Sequence, residues 1–412
     1  MLQSNPAVEP RVPPAAVPKL LERPLKEGCL YVPNPDWNLA PTFEKPLIHD
    51  ASLSPEGQKY IKRLHRRHKL ARFALTAGLL ASLPTSFYLS DVRANMAEAA
   101  EAKPTIRVMS EALNEDASNK ATIFFHGFNT FGASDLVRSI GEGAQQAFEG
   151  EQWSVQYNNA PLDAEEISDA LNEKLQERHI TSVDVVTYSM GDVPGIDAAV
   201  DIINNDWRHV ESITILSGPA DYDGLTEKTK EELSIAKNLA WIPWIEYSTP
   251  FRYFAEMYFY KDAIERNPMA AVGGINTRFM NGNVTTNLFL SSQINSISDS
   301  DIKGKINSIN EDKFRPVINY VKIQDGKDTV VDNDYSAEKI CEYANKKGLV
   351  CNVFEVNSRH GEYYLSTDEY NAVFEQVGEL LRPQVKQEQA RYALNLYSYY
   401  QLDTVTADDE AE

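Results

Sequence analysis

Three side chains of this sequence are of the types that acyl transfer by a serine uses: a hydroxyl, an imidazole and a carboxylate. Ser189 follows a β-branched run at 183–188 and precedes a helical pattern. A serine on a sharp strand-to-helix turn lifts its hydroxyl above the sheet edge, where the helix N-terminus favours negative charge. His360 stands in a loop just beyond a short apolar strand at 351–356. Only seven histidines occur in the chain, and His49, His65 and His68 precede the globular part. Between Ser189 and His360, a buried-type strand at 317–323 runs into an acidic loop carrying Asp325, Asp328, Asp332 and Asp334. A serine hydroxyl is a weak nucleophile until an imidazole takes its proton, and a carboxylate keeps that imidazole in the useful tautomer.

Such chemistry also needs donors for the oxyanion of a tetrahedral intermediate. The apolar strand at 121–125 breaks into His126-Gly127-Phe128, a turn tight enough to need glycine. The backbone amide of Phe128 is the expected first donor and that of Met190 the second. His126 itself reads as a structural histidine that bonds the loop. The turn around Ser189 departs from Gly-x-Ser-x-Gly, because Thr187 stands two residues before the serine. Its branched side chain falls where strand and helix approach closely, so strain or a slightly opened turn is expected.

These residues need a scaffold that brings distant loops to one edge. Short β-branched runs recur at 122–125, 153–157, 183–188, 212–216, 317–323 and 351–356. Helical periodicity fills 133–148, 164–178, 192–205 and 336–347, and a further helix is expected at 366–381. This alternation predicts an α/β fold, a mostly parallel sheet flanked by helices. Residues 218–316 lack it and read as a largely helical cap insertion. Its aromatic stretch at 240–260 is either the cap's own core or the lining of an apolar pocket.

The order of oxyanion loop, Ser, Asp and His resembles that of the α/β-hydrolases. The resemblance covers about 105–383 and is carried by His126-Gly127-Phe128, Tyr188-Ser189-Met190-Gly191, the 325–331 loop and Arg359-His360-Gly361. It implies a triad of Ser189, Asp328 and His360, with Asp221 or Asp223 as the alternative acid where the carboxylate sits one strand earlier. It implies a serine hydrolase of a carboxylic ester or related small acyl substrate, esterase- or lipase-like, acting through an acyl-enzyme with no cofactor and no metal. A peptidase or thioesterase would use the same residues, and a catalytically silent binding protein would share the fold.

Composition excludes several other classes. The 412 residues carry 40 Lys+Arg against 60 Asp+Glu, a net charge of -20, which opposes nucleic-acid binding. Three cysteines are too few for a disulfide scaffold or a Cys-rich zinc site. Cys341 and Cys351 pair if the domain lies in an oxidising compartment and are ordinary buried thiols otherwise. Residues 1–69 are first Pro-rich, holding 10 of the 21 prolines within 1–48, and then basic. They are expected to be a poorly ordered extension.

Lys62, Arg63, Arg66, Arg67, Lys69 and Arg72 precede 17 uncharged residues at 73–89. That pattern predicts a signal-anchor helix over 70–90, with the N-terminus cytoplasmic and the hydrolase domain beyond the membrane. A cleaved signal or a buried helix of a cytoplasmic enzyme are the alternatives. Residues 91–104 read as a connector and 384–412 as an acidic, solvated tail.

Overall fold

The strands of the computed structural model order as β1-β3-β2-β4-β5-β6-β7 in one sheet. They are β1 (Thr105–Ser110), β2 (Lys120–Phe125), β3 (Glu151–Gln156), β4 (Ser182–Tyr188), β5 (His209–Leu216), β6 (Val317–Ile323) and β7 (Cys351–Val356). β1 pairs antiparallel with β3, and every other neighbouring pair is parallel. The structure describes residues 91–97 and 101–409, except 129, 131, 159, 240–246, 260–263, 265–267, 281–286 and 311. The expectations for 1–69 and for the apolar span at 70–90 lie outside these residues, as does part of the 240–260 aromatic stretch. Among the described residues no helix is long and apolar enough to cross a membrane.

Parallel strands need crossovers, and helices supply them. α1 (Ser134–Phe148), α2 (Ala164–Glu177), α3 (Asp192–Asn205) and α9 (Asn333–Lys346) connect successive strands. The two-residue period sends alternate strand residues to opposite faces. Ile123, Val185, Ile213 and Tyr320 meet Ile167, Leu171, Ile196 and Ile340 on one face. Phe124, Val186 and Val321 meet Leu136, Ile140, Tyr370 and Phe374 on the other. With both faces covered, β4 is buried along its whole length, which explains its nearly continuous β-branched run.

Between β5 and β6 the chain forms α4 (Glu227–Leu239), α5 (Thr249–Phe259), α6 (Pro268–Met280), α7 (Asn287–Ser298) and α8 (Ile302–Asn307). Leu233 of α4 and Leu290, Ile294 and Ile297 of α7 cluster with Met190, and Phe128 packs against them. These helices therefore cover the turn after β4. Residues 91–97 are helical and dock on the start of α5, where the Asp91 carboxylate accepts bonds from the Thr249 amide (2.8 Å) and hydroxyl (2.6 Å).

The last helix, α10 (Thr367–Asp409), begins near the expected position but runs through Pro383 and into the acidic tail. Contacts with the segment before β6 account for part of the extension. Val385 is buried, Glu388 accepts a bond from the Arg315 amide (2.9 Å), and Arg391 donates to the Lys313 carbonyl (2.9 Å). Tertiary packing there outweighs the lost hydrogen bond of one proline.

Thr187 is accommodated by an exchange of space across the strand–helix contact. A Cβ at Gly195, on the first turn of α3, would lie 2.4 Å from the Thr187 methyl and 3.0 Å from the Phe125 ring. The small residue missing from the strand is thus supplied by the helix. Gly195→Ala is expected to destabilise the protein by about 1–3 kcal/mol through overpacking. Adding Thr187→Gly should recover part of that loss. Urea unfolding of the single and double variants measures both, and simple additivity of the two changes would contradict the exchange.

Candidate active site

Because the strands run parallel, the C-terminal ends of β2, β4, β5, β6 and β7 share one rim. Five loops meet there: 126–128, 189–191, 217–218, 324–332 and 357–361. Ser189 opens the 3₁₀ turn Ser189–Gly191 with φ 53°, a left-handed conformation that a non-glycine residue rarely adopts. It is almost fully buried, at 7% exposure. The turn is tight enough that a Cβ at Gly127 would sit 2.9 Å from the Ser189 Cβ, and one at Gly191 would sit 2.6 Å from the Phe125 carbonyl. Glycine at both positions lets the 126–128 loop lie directly against the serine.

His360 reaches this turn from the far side. Its Nε2 is 2.8 Å from Ser189 Oγ, and its Nδ1 is 3.0 Å from Asp328 Oδ2. Asp328 receives five hydrogen bonds. Its Oδ2 accepts from Ser217 Oγ (2.5 Å), Asn333 Nδ2 (2.7 Å) and His360 Nδ1. Its Oδ1 accepts from the amides of Val330 (2.8 Å) and Val331 (2.9 Å). Burial alone would push this carboxyl up, but the bonds from His360, Ser217 and the Val331 amide together hold it well below the usual carboxylate range. An ionised carboxylate only accepts, so His360 Nδ1 carries the proton. Nε2 is then left to accept the Ser189 hydroxyl proton.

The other candidate acids are occupied elsewhere. Asp325 and Asp334 face Lys322 (3.8 and 3.0 Å), and Asp332 caps α9 through the Tyr335 amide (3.1 Å). Asp221 is bound to Lys303 (2.9 Å) and the Gly224 amide (3.1 Å), and Asp223 lies in the Tyr222–Gly224 turn. The structure thus brings Ser189, His360 and Asp328 together and leaves the neighbouring acids apart. The backbones of Phe128 and Met190 flank Ser189 on the 126–128 loop and the 189–191 turn, and their side chains pack under the cap.

A ring of tyrosines fixes the loops to one another. Tyr188 Oη accepts from the Gly361 amide (2.5 Å), anchoring the residue after His360. Tyr157 donates to the His126 carbonyl (2.9 Å). Thr130 gives its only hydroxyl proton to the Gly127 carbonyl (2.9 Å), so at its other contact (3.2 Å) it accepts from His126 Nδ1–H. His126 Nε2 then accepts from Tyr363 Oη (2.8 Å). A neutral imidazole is therefore built into the loop, and burial lowers its pKa from 6.5 to about 4. Ser217, Asn333, Tyr157 and Tyr363 did not stand out in the sequence, and Tyr188 did so only as part of the run that holds Ser189. Asn333, five residues after Asp328, and the polar tip of Tyr188 beside Ser189 are the only local signals that could have flagged them.

The strand order, with one antiparallel strand on the outside and the Ser, Asp and His loops after the parallel strands β4, β6 and β7, decides the fold. The chain has the α/β-hydrolase fold. No family model matches it, and no curated protein matches it. Solved structures similar to this chain include a variant of the esterase E22, at 12% identity, covering 68% of this chain and 100% of that one, with a TM-score of 0.48. An esterase from Exiguobacterium antarcticum is 14% identical over 68% of this chain and 98% of its own, with a TM-score of 0.45. The enol-lactonase from Burkholderia xenovorans LB400 is 10% identical over 66% and 95%, with a TM-score of 0.44.

The cysteines carry a further observation. Cys341 on α9 and Cys351 at the start of β7 form a disulfide, and Cys351 opens the strand that leads to the His360 loop.

The neutral His126 makes stability depend on pH. Its folded-state pKa lies below the unfolded value of 6.5. The unfolded chain therefore binds the proton first, and the contribution is complete above pH 6.5 and lost as the pH falls from there to about 4. Wild type should lose on the order of 3 kcal/mol across that interval from this group. His126→Gln should show a shallower dependence in the same range. Denaturant unfolding at several pH values provides the comparison, and identical slopes would refute the assignment.

Proposed function

We propose that this protein is a serine hydrolase of carboxylic esters or related small acyl substrates, with Ser189, His360 and Asp328 as its catalytic triad. The observation that carries the reading is the 2.8 Å contact between His360 Nε2 and a Ser189 held in left-handed backbone geometry. Backbone strain of this kind persists where the surrounding structure over-determines it, and it clusters at reacting centres.

In the proposed reaction, His360 takes the Ser189 proton as Oγ attacks the substrate carbonyl. Asp328 stabilises the imidazolium so formed. The amides of Phe128 and Met190 receive the developing oxyanion, and one such donor contributes roughly 3–4 kcal/mol. The tetrahedral intermediate collapses when His360 returns the proton to the leaving alcohol. His360 then activates water to release the acyl group. Leu233, Leu290, Ile294 and Ile297 form an apolar roof over Met190, which supports an apolar acyl chain as the bound portion.

The disulfide supports an oxidising compartment for the hydrolase domain. Together with the basic-then-apolar sequence before it, this favours a membrane anchor at 70–90 with a cytoplasmic N-terminus. Full-length protein is expected to stay in the membrane pellet after carbonate washing, and its release would sink the anchor.

For the chemistry, a fluorophosphonate probe should label the wild type at Ser189, and p-nitrophenyl esters should be turned over. Ser189→Ala is expected to abolish both. Asp328→Asn should lower kcat by about ten-thousandfold, and His360→Ala by at least as much. A folded wild type that neither labels nor turns over would reduce the site to a binding surface.

A further inference from the structure

We propose that Ser217 is a positioning residue that holds the Asp328 carboxylate and the His360 imidazole in register for proton transfer. The inference deepens the hydrolase reading and rests on it. Ser217 follows the last residue of β5 and is fully buried. Its hydroxyl lies 2.5 Å from Asp328 Oδ2 and 3.3 Å from His360 Nδ1. The hydroxyl has one proton, and an ionised carboxylate offers none, so that proton goes to Asp328. A lone pair of the same oxygen then faces the imidazole Nδ1–H. The ring N–H meets two acceptors, at 3.0 and 3.3 Å, and rotation away from either loses an interaction. The hydroxyl in effect closes a small triangle whose other corners are the acid and the base.

The backbone at this position argues that the side chain, not the turn, is what the site uses. Ser217 has φ 50°, and its amide donates to the Val321 carbonyl (2.9 Å). A left-handed residue is best served by glycine, which lacks the clashing Cβ. Serine here costs stability relative to glycine and supplies a hydroxyl that glycine cannot. If the turn alone mattered, glycine would be the better residue. Ser189 and Ser217 thus stand in the same unusual conformation after neighbouring parallel strands, one aimed at Nε2 and the other at the Nδ1 side of the same ring.

The test compares Ser217→Gly and Ser217→Ala in the full chain, with p-nitrophenyl butyrate as substrate. Both variants lack the hydroxyl, but only alanine keeps the Cβ strain, so the glycine variant should melt higher than the alanine variant. Both are nonetheless expected to lose about tenfold in kcat with KM unchanged. The same substitutions in an Asp328→Asn background should cost nothing further, because Ser217 acts through that carboxylate. A structural role would instead make activity follow melting temperature and would persist in the Asp328→Asn background. Ser189-dependent turnover with an unaltered Ser217→Gly variant overturns this inference alone. Absence of Ser189-dependent turnover in the wild type overturns the hydrolase reading and this inference with it.

Discussion

A buried carboxylate is tolerable only if its charge is matched, and the candidate site is organised around that requirement. Asp328 is held by two amides of its own loop, by Asn333 at the start of α9, by Ser217 after β5 and by His360 after β7. Three parallel strands are thereby tied through one side chain. The arrangement is high-stakes in the way of any buried polar network: complete, it is rigid, and with one donor missing it leaves an under-satisfied charge in a low-dielectric setting. His360 is consequently aimed at Ser189 before any substrate arrives. In the proposed reaction, that preorganisation would let a weak nucleophile react without first rearranging the site.

The same rim also concentrates strain. Ser189 and Ser217 are both left-handed non-glycine residues, and such conformations cost of order 1–3 kcal/mol each. The sheet can carry that cost because it is buried on both faces by extensive apolar packing. Residues far from the chemistry therefore matter to it indirectly. Gly195 makes room for Thr187, and Thr187 immediately precedes the Tyr188-Ser189 pair. His126 is kept neutral so that Tyr363 can tie the base loop to the loop that carries Phe128.

Most of the scaffold could be read from the sequence, because its signals are local. Alternation of β-branched runs with amphipathic stretches located β2 to β7 and the crossover helices α1, α2, α3 and α9 to within a few residues. Their parallel arrangement follows from the connection lengths. Ser189 and His360 stood out for the same reason, each lying just beyond a clear strand. The choice among Asp325, Asp328, Asp332 and Asp334 was not local. It depends on which carboxylate faces His360 across the rim, and sequence distance is silent on that. Ser217, Asn333 and Tyr363 escaped notice because serine, asparagine and tyrosine are ordinary loop residues until partners from remote strands surround them. α10 outran its expected end for a related reason: helix propensity stops at Pro383, whereas the contacts of Val385, Glu388 and Arg391 continue past it.

The cap raises a question of specificity that the proposed triad does not address. Met190 joins the sheet to the cap, with its amide on the serine turn and its side chain clustered with Leu233, Leu290, Ile294 and Ile297. A single residue therefore belongs to both the expected oxyanion pocket and the apolar roof. Cap displacement would strip packing from the same turn that presents the Ser189 hydroxyl. Methionine is unbranched and polarizable, so it can keep contact over a range of cap positions where a β-branched residue would lose it. The start of the cap is in turn bonded to the acid loop, through the Thr226 amide to the Val330 carbonyl (3.0 Å) and the Asp332 amide to the Gly224 carbonyl (2.8 Å). The cap, the Asp328 loop and the Ser189 turn are thus mechanically continuous. What enters beneath the cap would act on the same elements that position Ser189, His360 and Asp328, so under the proposed hydrolase reading acyl-chain fit and turnover are coupled rather than independent.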